Sequence, residues 1–159
     1  MLYYNESDAS LNVPADPSLN KPVIMTCSGF QGLKTIHPAR FARAFTARGY
    51  TCFGFDDRGY GTSEGESGTV DEFIRDIANA LSSLSVHPAA RDRKIVLMGW
   101  GMGAGMILEA SRVAPCIAAL VAMNGFYGHT EWMLDEHPTF QALVQTIDEW
   151  LNGLSWGSR

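Results

Sequence analysis

The segment Ile95–Gly103 constrains the fold of this chain more than any other part of its sequence. It reads I-V-L-M-G-W-G-M-G: an apolar run typical of a buried strand, then glycines at 99, 101 and 103, then a mostly apolar stretch at 104–113. Glycine adopts positive φ without steric cost and lets backbones approach closely. The segment therefore predicts a buried strand that turns sharply at Gly101 into a closely packed helix.

Strand-like and helix-like segments alternate along residues 22–123. Four short apolar runs predict strands at Val23–Cys27, Thr51–Phe55, Lys94–Met98 and Ile117–Met123. The segments between them predict helices at Pro38–Arg48, Thr69–Ser85 and Met102–Val113, the second opened by a T-x-x-E capping box. Continuous apolar strands alternating with helices are typical of a parallel sheet with helices on both faces. The predicted fold class is therefore α/β with a mostly parallel sheet.

Three regions differ in character along the 159 residues. Residues 1–21 are polar and predict a lead-in segment or the remnant of an edge hairpin. Residues 22–128 hold the predicted sheet and form the core. Residues 129–159 are polar and aromatic, and one predicted helix at 138–151 makes them a partial, cap-like tail with no further strand. Whether the chain is a complete natural product or a truncated one stays open at this point.

Composition narrows the classes of partner and compartment. The net charge is −5 and no lysine- or arginine-rich run occurs, which argues against nucleic acid or an anionic membrane as the main partner. No apolar stretch reaches the length of a membrane span, and the N-terminus lacks a signal-peptide pattern. Three cysteines in apolar runs predict reduced, buried thiols and a cytoplasmic location. No metal-ligand spacing is present, and we expect no cofactor.

Three motifs follow predicted strands, each at the point where a strand ends. They are S-G-F-Q-G at 28–32, D-D-R-G-Y-G-T-S at 56–63 and G-W-G-M-G at 99–103. In this order they resemble the oxyanion loop, the D-x-R-G-x-G-x-S loop and the nucleophile elbow of the α/β-hydrolase superfamily. The resemblance covers residues 22–128 and is closest to serine aminopeptidase-like and dienelactone hydrolase-like members. It implies an α/β-hydrolase-like core that lacks the last strands.

The resemblance implies an anion-binding site without its nucleophile. The backbone N–H groups of Phe30 and Met102 would be the two oxyanion donors, and the N-terminus of the following helix would add its dipole. Gly101 stands where the family has its nucleophilic serine, so this position cannot attack a carbonyl. A simpler interpretation is that the glycines only permit tight turns and close helix–strand packing.

The remaining parts of a catalytic triad have weak candidates. His137, paired with Asp135, would form a compressed dyad, although both residues fall in the predicted tail. Ser28 occupies a position next to the oxyanion loop, while Asp56 and Arg58 are expected to pin their loop through hydrogen bonds or an ion pair. The first hypothesis is thus a non-hydrolytic or incomplete hydrolase-like protein that binds a small acyl or carboxylate ligand.

Two alternatives come from other classes. The chain could be an active hydrolase or lyase that uses Ser28 or His137 as an unconventional residue. It could also be an interaction module that forms a homo-oligomer through the aromatic tail, which holds Trp132, Trp150 and Trp156.

Overall fold

The computed structural model describes residues 10–12, 21–30, 32–114, 117–125 and 127. All of them belong to one unit of the chain, Met1–Tyr127. The second unit, Gly128–Arg159, contains the predicted tail with its helix and its three tryptophans, and it lies outside the described residues. The boundaries predicted at residues 21 and 128 therefore stay predictions.

A five-stranded sheet forms the centre of the described unit, in the order β1-β3-β2-β4-β5. The strands are β1 (Ser10–Asn12), β2 (Val23–Cys27), β3 (Thr51–Gly54), β4 (Ile95–Trp100) and β5 (Ile117–Met123). β2 runs parallel to β3 and β4, and β4 runs parallel to β5. β1 pairs antiparallel with β3 and adds a strand within the predicted lead-in. The predicted α/β class with a mostly parallel sheet is confirmed.

Three helices connect these strands: α1 (His37–Thr46), α2 (Val70–Val86) and α3 (Met102–Ser111). α1 begins with Pro38 in its first turn, where a missing N–H costs nothing, and it ends before Gly49 at φ 81°. At the start of α2, the Thr69 N–H donates to Glu72 Oε2 at 2.8 Å, so the predicted capping box forms. The three helices predicted between the strands are therefore present, with ends shifted by at most two residues.

Alternate residues of the central strands face opposite layers of helix. Val23, Met25 and Cys27 lie in the larger apolar cluster, which includes residues of α2 and α3. Ile24 between them lies in a smaller cluster with Ala42 of α1. This alternation is the two-residue period of a strand, and it places helices on both faces of the sheet. The carboxyl ends of β2, β3 and β4 consequently share one edge, where the three sequence motifs lie.

β5 departs from the expectation of a strand covered on both faces. Residues 118–122 are exposed, with relative exposures of 36% at Leu120 and 41% at Val121. β5 also ends the described sheet, where β4 is its one strand neighbour. No helix among the described residues is long and apolar enough to cross a membrane.

Candidate active site

The turn between β4 and α3 has an unusual backbone conformation at Gly101. This residue has φ 57° and ψ −127°, a conformation that side-chain-bearing residues rarely adopt. Its N–H donates to the Met123 carbonyl at 3.1 Å, and its own carbonyl accepts from the Ala104 N–H at 3.0 Å. Hydrogen bonds to β5 and to the first turn of α3 thus hold the sharp turn that the glycine pattern predicts.

The glycines around this turn have separable roles. A Cβ atom on Gly103 would overlap the carbonyl oxygen of Ser28, and one on Gly99 would lie 2.5 Å from the carbonyl oxygen of Gly103. These two glycines therefore allow α3 to approach β2 and β4 closely. Among the described residues, a Cβ atom on Gly101 would meet only the Gly29 Cα, at 4.0 Å. Close packing accounts for Gly99 and Gly103, whereas the described residues leave the position beside Gly101 open.

The loop after β2 lies against this turn. A Cβ atom placed on Gly29 would be 2.9 Å from the Trp100 carbonyl oxygen and 3.8 Å from the Met102 backbone nitrogen. Met102 begins α3, so its N–H has no acceptor within the helix. Within the described residues, the N–H groups of Phe30 and Met102 donate to no oxygen. These two N–H groups, hereafter the amide pair, belong to adjoining segments beside the open position at Gly101.

Ser28 is close to the amide pair in sequence but is closed off from solvent. The residue is 4% exposed, and among the described residues its Oγ has no hydrogen-bond partner. The neighbouring Cys27 thiol is also buried, and burial, reinforced by the charge of Asp57, raises its pKa far above the ordinary range. Neither side chain is poised as a nucleophile. His137 and Asp135 lie outside the described residues.

A buried ion pair joins the loop after β2 to the loop after β3. Lys34 donates twice to Asp56, through Nζ to Oδ2 at 2.8 Å and through its backbone N–H to Oδ1 at 2.6 Å. The Thr62 N–H adds a bond to Oδ2 at 3.2 Å. Burial alone would raise the pKa of Asp56, but the bonds from Lys34 and Thr62 hold that pKa below its usual value. The predicted pinning role of Asp56 is confirmed, and the sequence analysis missed Lys34.

Arg58 fixes the same loop to α2. Its guanidinium donates to both carboxylate oxygens of Asp76, at 2.8 and 2.6 Å, and to Glu72 at 3.0 Å. Paired, parallel bonds of this kind set orientation as well as attraction. The expected ion pair of Arg58 is therefore present, and the second motif serves to fix the loop.

Asp57, between these two pinning residues, is a buried carboxyl that the sequence analysis did not single out. Burial raises its pKa, and the charges of Asp76 and Asp56 raise it further, to about 7. A carboxyl group in this position holds a proton over part of the neutral range. The electrostatics of the site edge therefore change near pH 7.

Two aromatic rings of α1 contact Trp100, the residue directly before Gly101. The Trp100 ring stacks on the His37 ring, with 5.7 Å between centroids and an interplanar angle of 11°. Phe41 meets the same indole at 6.4 Å in a tilted arrangement. Trp100 still remains 36% exposed. No sequence pattern predicts this contact, because it depends on how α1 is placed against the end of β4.

Comparison with known protein families agrees with the geometry. A family model described as serine aminopeptidase, S33, matches residues 20–156. A putative non-heme bromoperoxidase BpoC of Mycobacterium tuberculosis is 32% identical over 114 residues, which are 69% of this chain and 41% of the relative. An uncharacterized 31.7 kDa protein of Escherichia coli is 28% identical over 111 residues, 69% of this chain and 39% of the relative. The chain thus spans about two fifths of the length of these relatives.

Solved structures share the fold at low sequence identity. The α/β hydrolase GrgF of Penicillium sp. superposes with a TM-score of 0.70 at 22% identity, covering 90% of this chain and 50% of the other. At this identity the likeness concerns the fold alone.

Proposed function

The chain belongs to the serine aminopeptidase S33 family of α/β hydrolases, and we propose that it binds a small acyl or carboxylate ligand at the amide pair without nucleophilic attack from position 101. One observation carries this proposal. Gly101 has a positive φ of 57° and the described residues leave space beside it, yet the residue has no side chain. A family member with this turn offers backbone donors but no attacking oxygen there.

The donors in this proposal are all backbone groups. Preorganised N–H groups stabilise negative charge on an acyl oxygen, and removing one such donor in known hydrolases costs about 2.7–4 kcal/mol of transition-state stabilisation. The N-terminus of α3 contributes a further favourable field, worth about 0.3–1 kcal/mol for an anion near an exposed helix end. Replacing a serine by glycine at 101 removes none of these terms. Binding of an anion is therefore separable from attack on it.

The open position at Gly101 has room for a planar carboxylate group. Within the part of the chain that the structure describes, a Cβ atom on Gly101 would lie 4.0 Å from its nearest neighbour, so ligand atoms can use space that a serine side chain would fill. One carboxylate oxygen would accept from the amide pair, and the rest of the group would extend over Gly101.

An assay of ester hydrolysis tests the absence of attack. We expect wild type, Gly101→Ala and Ser28→Ala to hydrolyse p-nitrophenyl acetate at the same background rate. Gly101→Ser tests whether a hydroxyl alone restores turnover, and Gly101→Ala is its matched control because it adds Cβ without oxygen. Wild-type turnover well above background that is abolished in His137→Ala or Ser28→Ala would refute the proposal.

The alternative of catalysis from Ser28 has less support. Its Oγ is buried, and the described residues offer it no hydrogen-bonded base. Nucleophilic serine requires a base within hydrogen-bond reach. We therefore expect a fluorophosphonate probe to leave the folded protein unlabelled, and labelling at Ser28 would favour the alternative.

A second candidate function is that of an interaction module, and the exposure of β5 favours it. The strand I-A-A-L-V-A-M carries no charge and ends the described sheet. Uncharged, exposed edge strands are prone to pairing with another chain. Light scattering coupled to size exclusion tests this candidate: a discrete dimer supports it, and a monomer at all concentrations excludes self-association. The predicted role of the aromatic tail in such a dimer stays a separate proposal.

A further inference from the structure

We propose that Trp100 forms a binding surface for an aromatic ring, so that the amide pair takes an arylalkyl carboxylate or acyl group in preference to a short aliphatic one. This inference rests on the proposed function and specifies the class of its ligand. It concerns the part of the ligand that lies away from the carboxylate.

The position of the indole places it beside the amide pair. Trp100 directly precedes Gly101 in the chain, and Met102 directly follows it. The point at which a Cβ atom would lie on Gly29 is 3.6 Å from Trp100 Cδ1 and 3.8 Å from the Met102 nitrogen. The indole edge and the Met102 donor therefore flank the same small region. A carboxylate bound at the amide pair would hold its substituent within reach of the ring.

The indole is held in place by its neighbours on α1. His37 stacks on it at 5.7 Å with nearly parallel planes, and Phe41 packs at 6.4 Å with a tilt of 41°. A ring supported in this way loses little freedom when a ligand binds. Trp100 thus offers a preorganised flat surface.

Two aromatic side chains next to the amide pair are exposed. Trp100 is 36% exposed, although His37 and Phe41 both contact its ring. Phe30, which supplies one donor of the amide pair, is 59% exposed. Exposed aromatic surface thus belongs to residues that form or adjoin the proposed anion site. This pairing of polar donors with aromatic surface fits a ligand that has a charged head and a flat, apolar substituent.

The choice of an aromatic substituent follows from geometry. Offset stacking on a planar indole adds binding energy beyond area burial, equivalent to a gain in affinity of about two- to tenfold. The phenyl ring of 3-phenylpropionate would meet the indole, whereas the methyl end of propionate would not cover it. We therefore expect wild type to bind 3-phenylpropionate at least tenfold more tightly than propionate, since stacking and apolar burial act together.

Calorimetric titration of the whole chain with these two carboxylates tests the inference. In Trp100→Ala the preference for 3-phenylpropionate should fall at least fivefold, with propionate affinity unchanged within twofold. Trp100→Phe should retain part of the preference because it keeps a ring. Val86→Ala, an exposed position at the end of α2, is the surface control and should change neither affinity.

The outcomes separate the two proposals. Equal affinities for both carboxylates, or a preference that survives Trp100→Ala, would overturn the inference and leave the proposed function standing. Binding of neither carboxylate would overturn both. If Trp100→Ala does not fold, nuclear Overhauser contacts between the phenyl protons and the Trp100 indole in wild type decide the matter: their presence supports the inference, and their absence in the bound state refutes it.

Discussion

Adding a single methyl group at Gly101 should destabilise the protein through its backbone alone. A residue with a side chain at φ 57° and ψ −127° occupies a sparsely populated region, at a cost of about 1–3 kcal/mol. No described residue collides with the new Cβ atom, whose nearest neighbour among them would be the Gly29 Cα at 4.0 Å. Replacing glycine also restricts the unfolded chain, which returns about 0.4–1 kcal/mol. The net loss for Gly101→Ala therefore lies between about 0 and 2.6 kcal/mol, with a midpoint of about 1.3 kcal/mol.

Gly103→Ala supplies the contrast. A Cβ atom there would overlap the Ser28 carbonyl oxygen, so α3 must move away from the end of β2. We expect a loss of more than about 3 kcal/mol, in the range of the larger core substitutions. Both variants add one methyl group to the same turn. In Gly101→Ala the cost comes from backbone strain, whereas in Gly103→Ala it comes from a steric collision.

Urea denaturation followed by circular dichroism measures both losses. The expected order is wild type, then Gly101→Ala, then Gly103→Ala, and the melting temperature of Gly101→Ala should fall by about 2–8 °C. A Gly101→Ala protein more stable than wild type would mean that residue 101 does not hold positive φ, and the account of the turn would be wrong. Equal losses in the two variants would contradict the claim that the position beside Gly101 is open.

Three further predictions concern the ion pair, the buried carboxyl and the edge strand. Lys34→Met leaves Asp56 buried without its main partner and should cost about 3 kcal/mol at pH 7. Because the pair lowers the pKa of Asp56, its contribution is complete above the unfolded carboxyl pKa of about 3.9 and is lost below it, so the deficit against wild type in urea midpoints should narrow as the pH falls below about 4. Asp57→Asn should be more stable than wild type at pH 8, because the pKa of Asp57 is raised to about 7 and the folded state therefore binds this proton more tightly than the unfolded state. Wild-type stability should fall between about pH 4 and 7, by at most about 1.4 kcal/mol per pH unit. A wild-type stability that does not change over this pH range would contradict the prediction. Val121→Lys should abolish any concentration-dependent dimer seen by light scattering, and an unchanged dimer would show that β5 is not its interface.

Local sequence patterns predict the elements that local physics determines. The apolar runs gave the bounds of β2 and β5 as the structure has them, since each run is closed by residues that stop a strand. The pair Thr69 and Glu72 marked the start of α2, because both capping bonds lie within one turn. The alternating glycines predicted the turn at Gly101 for the same reason, as backbone conformation is set within a few residues.

Sequence patterns do not predict contacts between segments that are distant along the chain. Lys34 has no neighbour in sequence that marks it as the partner of Asp56, because they lie on loops that follow different strands. Asp57 is adjacent to Asp56, and only the path of the loop after β3 decides that its carboxyl is buried. The exposure of β5 depends on what lies beyond the sheet edge, and an apolar run alone cannot report it. The stack of Trp100 on His37 requires the placement of α1.

The central claim is that the amide pair binds a carboxylate, and the response of its two N–H groups to such a ligand is the most direct test. In an isotope-labelled sample of the whole chain, titration with 3-phenylpropionate should shift the amide resonances of Phe30 and Met102 saturably, while the ligand remains chemically unchanged. Resonances that stay in place at those two residues while others move, or an ester that is turned over at the same site, would contradict it.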